Sequence, residues 1–219
     1  MPSDAWPNWV LGNHDKPRTA SRVGAAQARV AAMLLLTLRG TPTLYYGDEI
    51  GMHDVAIPAD QVQDPFEKNV PGLGLGRDPV RTPMQWTNTE SAGFTTGKPW
   101  LPLADDCKTV NVQVLRDQST SILTLYHRLI ELRRSEPALS VGEFAPVPAG
   151  DDLIAYVRKV SERRLLIVLN LSAQARSFNL SDLEARASLL LSTHLDRDQE
   201  YSRDELQLRA DEGVIVELR

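Results

Sequence analysis

Trp9-Val10-Leu11-Gly12-Asn13-His14-Asp15 is a short apolar run that ends in three polar side chains. Thirty residues on, a second β-rich run, Thr43-Leu44-Tyr45-Tyr46, closes on Gly47-Asp48-Glu49. Between them, residues 21–38 read as a helix. Ser21 suits an N-cap, the interior is rich in Ala and Leu, and Gly40 with Pro42 supplies the stop. Buried strand over 9–12, helix, and strand over 43–46 make a βαβ unit with two parallel strands. Polar groups at the carboxyl ends of such strands are where α/β folds place their sites.

Beyond this unit the rhythm is lost and then regained in another form. Residues 53–112 carry seven prolines and no sustained period of 2 or 3.6. A loop that long is either functional or disordered. Its aromatics Phe66, Trp86, Phe94 and Trp100 offer apolar surface to pack, which argues for an ordered excursion over a site. Phe66, Trp86 and Trp100 have two readings, stacking on a ligand or burial beneath the loop, and burial is the one expected. Helix returns over 119–134, where Ile122, Leu125, Leu129 and Leu132 form one stripe, widened by Tyr126 and Ile130 and ended by Pro137. After about Ala138, short apolar runs recur at 153–157, 165–169, 177–180, 188–191 and 214–218, separated by turn clusters such as Gly150-Asp151-Asp152 and Asp211-Glu212-Gly213. That is the rhythm of a small antiparallel β-sandwich.

Composition narrows the partners. A net charge of −5 and a pI near 5.4 argue against a nucleic-acid partner, which would need a basic stripe. The single cysteine, Cys107, cannot form an internal disulfide and suits a reducing compartment, so a cytoplasmic location is expected. Met1-Pro2-Ser3-Asp4 has neither the basic nor the apolar region of a signal peptide. The strongest apolar stretch, 30–36, is too short for a bilayer, so no membrane partner is expected. His14, His53, His127 and His194 are scattered without ligand spacing, so no metal or cofactor is expected.

Three runs taken in order carry a resemblance. They are Gly12-Asn13-His14-Asp15-Lys16-Pro17-Arg18, then Gly40-Thr41-Pro42-Thr43-Leu44-Tyr45-Tyr46-Gly47-Asp48-Glu49-Ile50-Gly51, then Gly76-Arg77-Asp78-Pro79-Val80-Arg81-Thr82-Pro83-Met84-Gln85-Trp86. Together with the β-rich tail they resemble the C-terminal part of α-glucosidases and oligo-1,6-glucosidases of the α-amylase superfamily, glycoside hydrolase family 13. The resemblance covers the whole chain. It implies a (β/α)8 TIM barrel with its site at the carboxyl ends of the strands, followed by a β-sandwich. Residues 1–137 would then hold the last two βα units, strands seven and eight, with a long loop over 52–118. Residues 138–219 would be the sandwich domain.

The resemblance also assigns roles. Retaining glycosidases use a nucleophile and an acid/base, two carboxyl groups about 5 Å apart. In this family a third carboxylate grips hydroxyls of the sugar under attack, and Asp15 matches it as the transition-state stabiliser. Its hydrogen bonds strengthen as positive charge develops on the ring. His14 matches the histidine that donates to the same sugar. Arg81 matches an arginine that pairs with an acidic residue of the upstream half and walls off the pocket behind the first sugar. Arg18 either contacts substrate or braces the loop. The implied substrate is an α-linked gluco-oligosaccharide.

The nucleophile and the acid of the family both precede the Asn-His-Asp run, and only twelve residues precede Asn13. Arg209-Ala210-Asp211 has an Arg-x-Asp spacing but lies on the wrong side, in a turn between strands. The chain is therefore expected to be a fragment that cannot hydrolyse a glycoside alone, and to self-associate through exposed barrel edges. Two other classes compete. A non-catalytic module, or a partner subunit of amino-acid transporters, would keep the fold without chemistry, although the latter carry a membrane anchor that this sequence does not show. A metal-dependent phosphoesterase shares Gly-Asn-His-Asp, but needs an upstream Asp-x-His and a downstream Gly-His-x-His, and the sequence has neither.

Overall fold

A computed structural model describes residues 5–183, 186–197, 201–202 and 204–219. Residues 1–4, on which the reading of a leader rests, lie outside them. The chain divides into two compact units. One comprises Met1–Trp9, Ala26–Thr43 and Leu125–Arg219, the other Val10–Ala25 and Leu44–Thr124.

The first unit is built on antiparallel β-structure. Its main sheet has six strands in the order β3-β4-β5-β10-β7-β8. They are β3 (Glu143–Val147), β4 (Leu153–Val160), β5 (Arg163–Asn170), β7 (Ala187–Ser192), β8 (Tyr201–Ser202) and β10 (Gly213–Leu218). A two-stranded sheet pairs β6 (Arg176–Asn179) with β9 (Glu205–Leu208). The two sheets share one apolar core, with Leu166, Val168, Val214 and Val216 from the large sheet meeting Phe178, Leu180 and Leu208 from around the small one. Since side chains alternate along a strand, Leu165, Ile167 and Leu169 of β5 point the other way and are also fully buried. A helix covers that second face. A Cβ on Gly213 would meet Leu169 at 2.8 Å and Met33 of the helix at 2.9 Å, so the helix lies close to the sheet here and a larger residue would have to push those side-chain ends aside.

That helix, α1, spans Thr19–Thr37 and has a break at Gly24, where φ is 80°. The expected boundaries shift here. The helix begins two residues before Ser21, which therefore is not its N-cap; the Ser21 hydroxyl instead accepts from the backbone N–H of Asp54 at 2.7 Å. At the other end four carbonyls, from Leu36 to Gly40, are taken by two arginines. Arg133 donates to Leu36 at 2.8 Å, Leu38 at 3.2 Å and Gly40 at 2.6 Å. Arg158, fully buried on β4, donates to the Thr37 carbonyl and to Gly142 at 3.0 Å.

The strands flanking α1 also differ from expectation. β1 covers Asn8–Val10 rather than 9–12, and β2 covers Thr41–Thr43 rather than 43–46. They pair with each other as a two-stranded sheet. All three residues of β1 are exposed rather than buried, because no further strand flanks this pair among the described residues. Tyr45 and Tyr46 leave the strand, and their hydroxyls donate to the Val80 and Thr82 carbonyls at 3.1 and 2.7 Å.

The second unit is mostly irregular chain tied by short helices. These are α2 (Pro65–Asn69), α3 (Val112–Arg116) and 3-10 turns at Asp48–Ile50, Ala59–Gln61, Asp78–Val80 and Glu90–Gly93. A small core of Ile50, Met52, Met84 and Leu123 anchors it, with Val112 and Leu115 packed alongside. α4 (Ile122–Ser135) starts three residues later than expected, with the Ser121 hydroxyl accepting from Thr124 N–H at 3.1 Å as its cap. α5 (Pro137–Ser140) leads into β3.

Candidate active site

The polar triad is shaped by its own backbone. Asn13 Oδ1 accepts from the Asp15 N–H at 2.8 Å, an Asx turn that projects His14 and Asp15 outward. The Asp15 side chain is 46% exposed and His14 more so, with His14 Nε2 3.3 Å from Asp15 Oδ2. Asp15 Oδ1 meets two guanidinium groups, Arg81 Nη2 at 3.0 Å and Arg77 Nη1 at 3.3 Å. Burial would raise the Asp15 carboxyl, but His14, Arg77 and Arg81 together hold it below the usual aspartate value. The group is thus an ionised acceptor at the surface of the site.

Arg81 follows the 3-10 turn Asp78–Val80 and also donates through Nε to the His14 carbonyl at 2.9 Å. In this chain its carboxylate partner is Asp15. Arg18 has a different setting. It is 0% exposed, its Nη1 donates to the Tyr46 carbonyl at 2.7 Å, and its guanidinium lies 5.1 and 4.8 Å from the Tyr45 and Tyr46 ring centroids. Its backbone N–H donates to Asp54 at 2.8 Å. Of the two roles open to Arg18, bracing the loop is the one its burial supports. Gly47 makes this possible, because a Cβ there would stand 2.8 Å from Arg18 Nη1 and the backbone φ is 87°.

Asp48 lies beneath the triad, with its Oδ2 2.8 Å from where a Gly12 Cβ would be. Burial pushes its carboxyl up to about 6, against the pull of Arg18. Glu49 turns back to accept from Gly47 N–H at 2.7 Å. Both serve the shape of the strand end rather than reaching out from it.

The expected burial of Phe66, Trp86 and Trp100 is overturned. Trp86 is 49% and Trp100 53% exposed, and with Tyr46, Phe94 and Arg81 they line an open 360 Å³ cleft. The loop packs through its aliphatic residues instead, which leaves the rings along its surface. Phe66 lies beneath the Arg77 guanidinium, 4.8 Å from it.

Sequence reasoning missed Arg77 and its partner Asp64. Arg77 sits in a run whose resemblance pointed to Arg81, and Asp64 is 13 residues away across glycine-rich chain, so no spacing rule connects them. Arg209-Ala210-Asp211 lies at the turn between β9 and β10, where Arg209 pairs with Asp196 at 2.7 Å and Glu212 at 2.8 Å. Among the described residues no three His, Cys, Asp or Glu side chains come together as a metal site, and no helix is long and apolar enough to cross a membrane.

The family model of the alpha-amylase catalytic domain matches residues 1–142. The chain belongs to the alpha-amylase family. It is 31% identical to the oligo-1,6-glucosidase of Parageobacillus thermoglucosidasius over 98% of its own length and 43% of that protein. It is 35% identical to the amino acid transporter heavy chain SLC3A1 of Mus musculus, over 99% of this chain and 32% of that one. The crystal structure of the trehalulose synthase from Pseudomonas mesoacidophila superposes with a TM-score of 0.88 at 31% identity, over 100% of this chain and 44% of that one. The chain thus spans less than half the length of these relatives.

Proposed function

We propose that this chain supplies the sugar-gripping part of a retaining α-glucosidase acting on α-linked gluco-oligosaccharides. In this reading β1 and β2 are strands seven and eight of the barrel, residues 1–137 are its C-terminal portion, and residues 138–219 form the β-sandwich domain. Asp15 accepts hydroxyls of the sugar under attack, His14 donates to the same ring, and Arg81 orients the carboxylate and closes the pocket behind it. Arg18 acts indirectly by holding the two tyrosines. The observation that carries the proposal is the Asp15 carboxylate itself, half exposed, ionised and oriented by two guanidinium groups, one from Arg77 and one from Arg81.

Neither the nucleophile nor the acid/base has a candidate in the described residues near Asp15, so the 219-residue chain is predicted to be inactive alone. The exposed strand pair suits association with itself or with an upstream half. The single cysteine favours a cytoplasmic setting. The test has two arms. The purified chain should not turn over a nitrophenyl α-glucoside. Joined to an upstream barrel half from a relative, it should gain turnover that Asp15→Asn removes. Turnover by the chain alone, or no effect of Asp15→Asn in the joined protein, would sink the proposal.

The likeness to a transporter heavy chain favours a second reading, a non-catalytic subunit built on the same fold. Isothermal titration of the joined protein with maltose separates the two, since a non-catalytic subunit has no need of a sugar contact that depends on Asp15.

A further inference from the structure

Two buried carboxylates lace the segment 63–64 to the segment 77–78. Asp78 Oδ2 accepts from the backbone N–H of Gln63 at 2.6 Å and of Asp64 at 2.8 Å. Asp64 returns the contact. Its Oδ2 accepts from Arg77 N at 2.7 Å and Arg77 Nε at 2.8 Å, and its Oδ1 accepts from Arg77 Nη2 at 3.0 Å and from Phe66 N, as the cap of α2, at 3.1 Å. Both side chains are buried. An arginine fork meeting a carboxylate in two parallel bonds is fixed in plane as well as in distance. The Phe66 ring bears on the face of the same guanidinium. Only Nη1 is left over, and it is the atom that reaches Asp15.

We propose that Asp64 is a positioning residue, whose buried carboxylate aims Arg77 at Asp15 and so makes the orientation of the Asp15 carboxylate depend on a clasp that never touches the sugar. Two observations favour this over a purely structural role for Asp64. The loop ends are already tied by Asp78, which takes both backbone donors of the upstream segment. Asp64 meanwhile gives each of its oxygens one bond to the arginine side chain beside one backbone bond, so the fork is gripped at both edges. The charges facing Asp15 are His14, Arg77 and Arg81, and of these only Arg77 is itself held by a buried anion. The proposal rests on Asp15 being the carboxylate that grips substrate; its test does not involve sugar.

The test is a carbon-detected NMR titration of the Asp15 carboxyl in the 219-residue chain. Arg77→Gln should raise its midpoint. Asp64→Asn, which keeps an N-cap acceptor for α2, should raise it in the same direction, and the double variant should rise no further than Arg77→Gln. Arg81→Gln should add its own rise in every background. A midpoint unchanged by Asp64→Asn while Arg77→Gln raises it would overturn the proposal, as would no response to Arg77→Gln. In the unsubstituted chain the Arg77 Nε–H should be protected from exchange. Exchange as fast as that of a free surface arginine would overturn the proposal without any variant. Sugar binding to the joined protein is read separately. A silent titration with sugar binding intact sinks the clasp, whereas the expected titration without sugar binding sinks the functional reading.

Discussion

Arg81 holds Asp15 twice over, Nη2 standing 3.0 Å from the Asp15 carboxylate while Nε donates to the carbonyl of the preceding residue at 2.9 Å. One rigid fork therefore fixes both the side chain and the backbone of the triad loop. Lysine keeps the charge but has no fork to span the two acceptors. In the joined, barrel-completed protein Arg81→Lys is expected to lower kcat/KM roughly tenfold to a hundredfold, the range typical of a misplaced orienting contact. Steady-state kinetics on a nitrophenyl α-glucoside checks it, and a value within twofold of the parent refutes it.

Asp48 gives the triad's foundation a pH dependence of unusual sign. Its folded value of about 6 lies above the unfolded 3.8, because burial penalises the charged form. The folded chain therefore binds the proton more tightly, and stability from this group grows as pH falls from about 6 towards 4. Above 6 the ionised carboxylate is a burden. Asp48→Asn should stabilise the chain at pH 7 by about 2 kcal/mol, an advantage that fades by pH 4. Urea midpoints at both pH values decide it. An advantage that is constant with pH contradicts the assignment.

Glu212 behaves in the opposite way. Burial alone would raise it, but Arg209, the Ser192 hydroxyl and Arg197 outweigh burial and hold it below 4.5. Its contribution is complete above the unfolded value and is lost as pH falls through the depressed folded one. Glu212→Gln leaves the arginines facing a neutral group and should cost about 3 kcal/mol at pH 7, with the gap narrowing in acid. Thermal unfolding from pH 7 to pH 3 follows both.

Arg133 satisfies three carbonyls at the end of α1. Arg133→Ala strands them in a partly buried place and should destabilise the chain by about 2 kcal/mol. Arg133→Lys should recover less than half of that, since one ammonium cannot reach the spread of acceptors that a fork can. Faster amide exchange in the last turn of α1 should accompany the loss.

What the sequence could say depended on how each element earns its burial. β5 and β10 are buried on both faces, so Leu165–Leu169 and Val214–Leu218 stand out as apolar runs, and the alanine-rich α1 was equally plain. β3 was not legible. It carries Pro146 and is exposed along most of its length, as an edge strand can be. β9 was missed because Glu205-Leu206-Gln207-Leu208 offers only two apolar residues. In the site, His14, Asp15 and Arg81 could be found because each sits in a run with recognisable neighbours. Arg77 and Asp64 could not, since their pairing is made by tertiary closure. The tryptophans misled for a related reason: an aromatic side chain announces apolar area, not which side of a loop that area will face.

The lacing of Asp64 and Asp78 makes residues 65–76 a closed detour. Entry and exit are pinned to each other by buried carboxylates, while the span between them exposes Leu73 and Leu75 and turns through Gly72 and Gly74 at φ 81° and 66°. Material can therefore be inserted, removed or rewritten around Leu73, beyond the Phe66 and Glu67 contacts that help to hold the clasp, without displacing Arg77. Such an arrangement separates the pinned geometry at Arg77 and Asp15 from a stretch of surface whose shape can change independently.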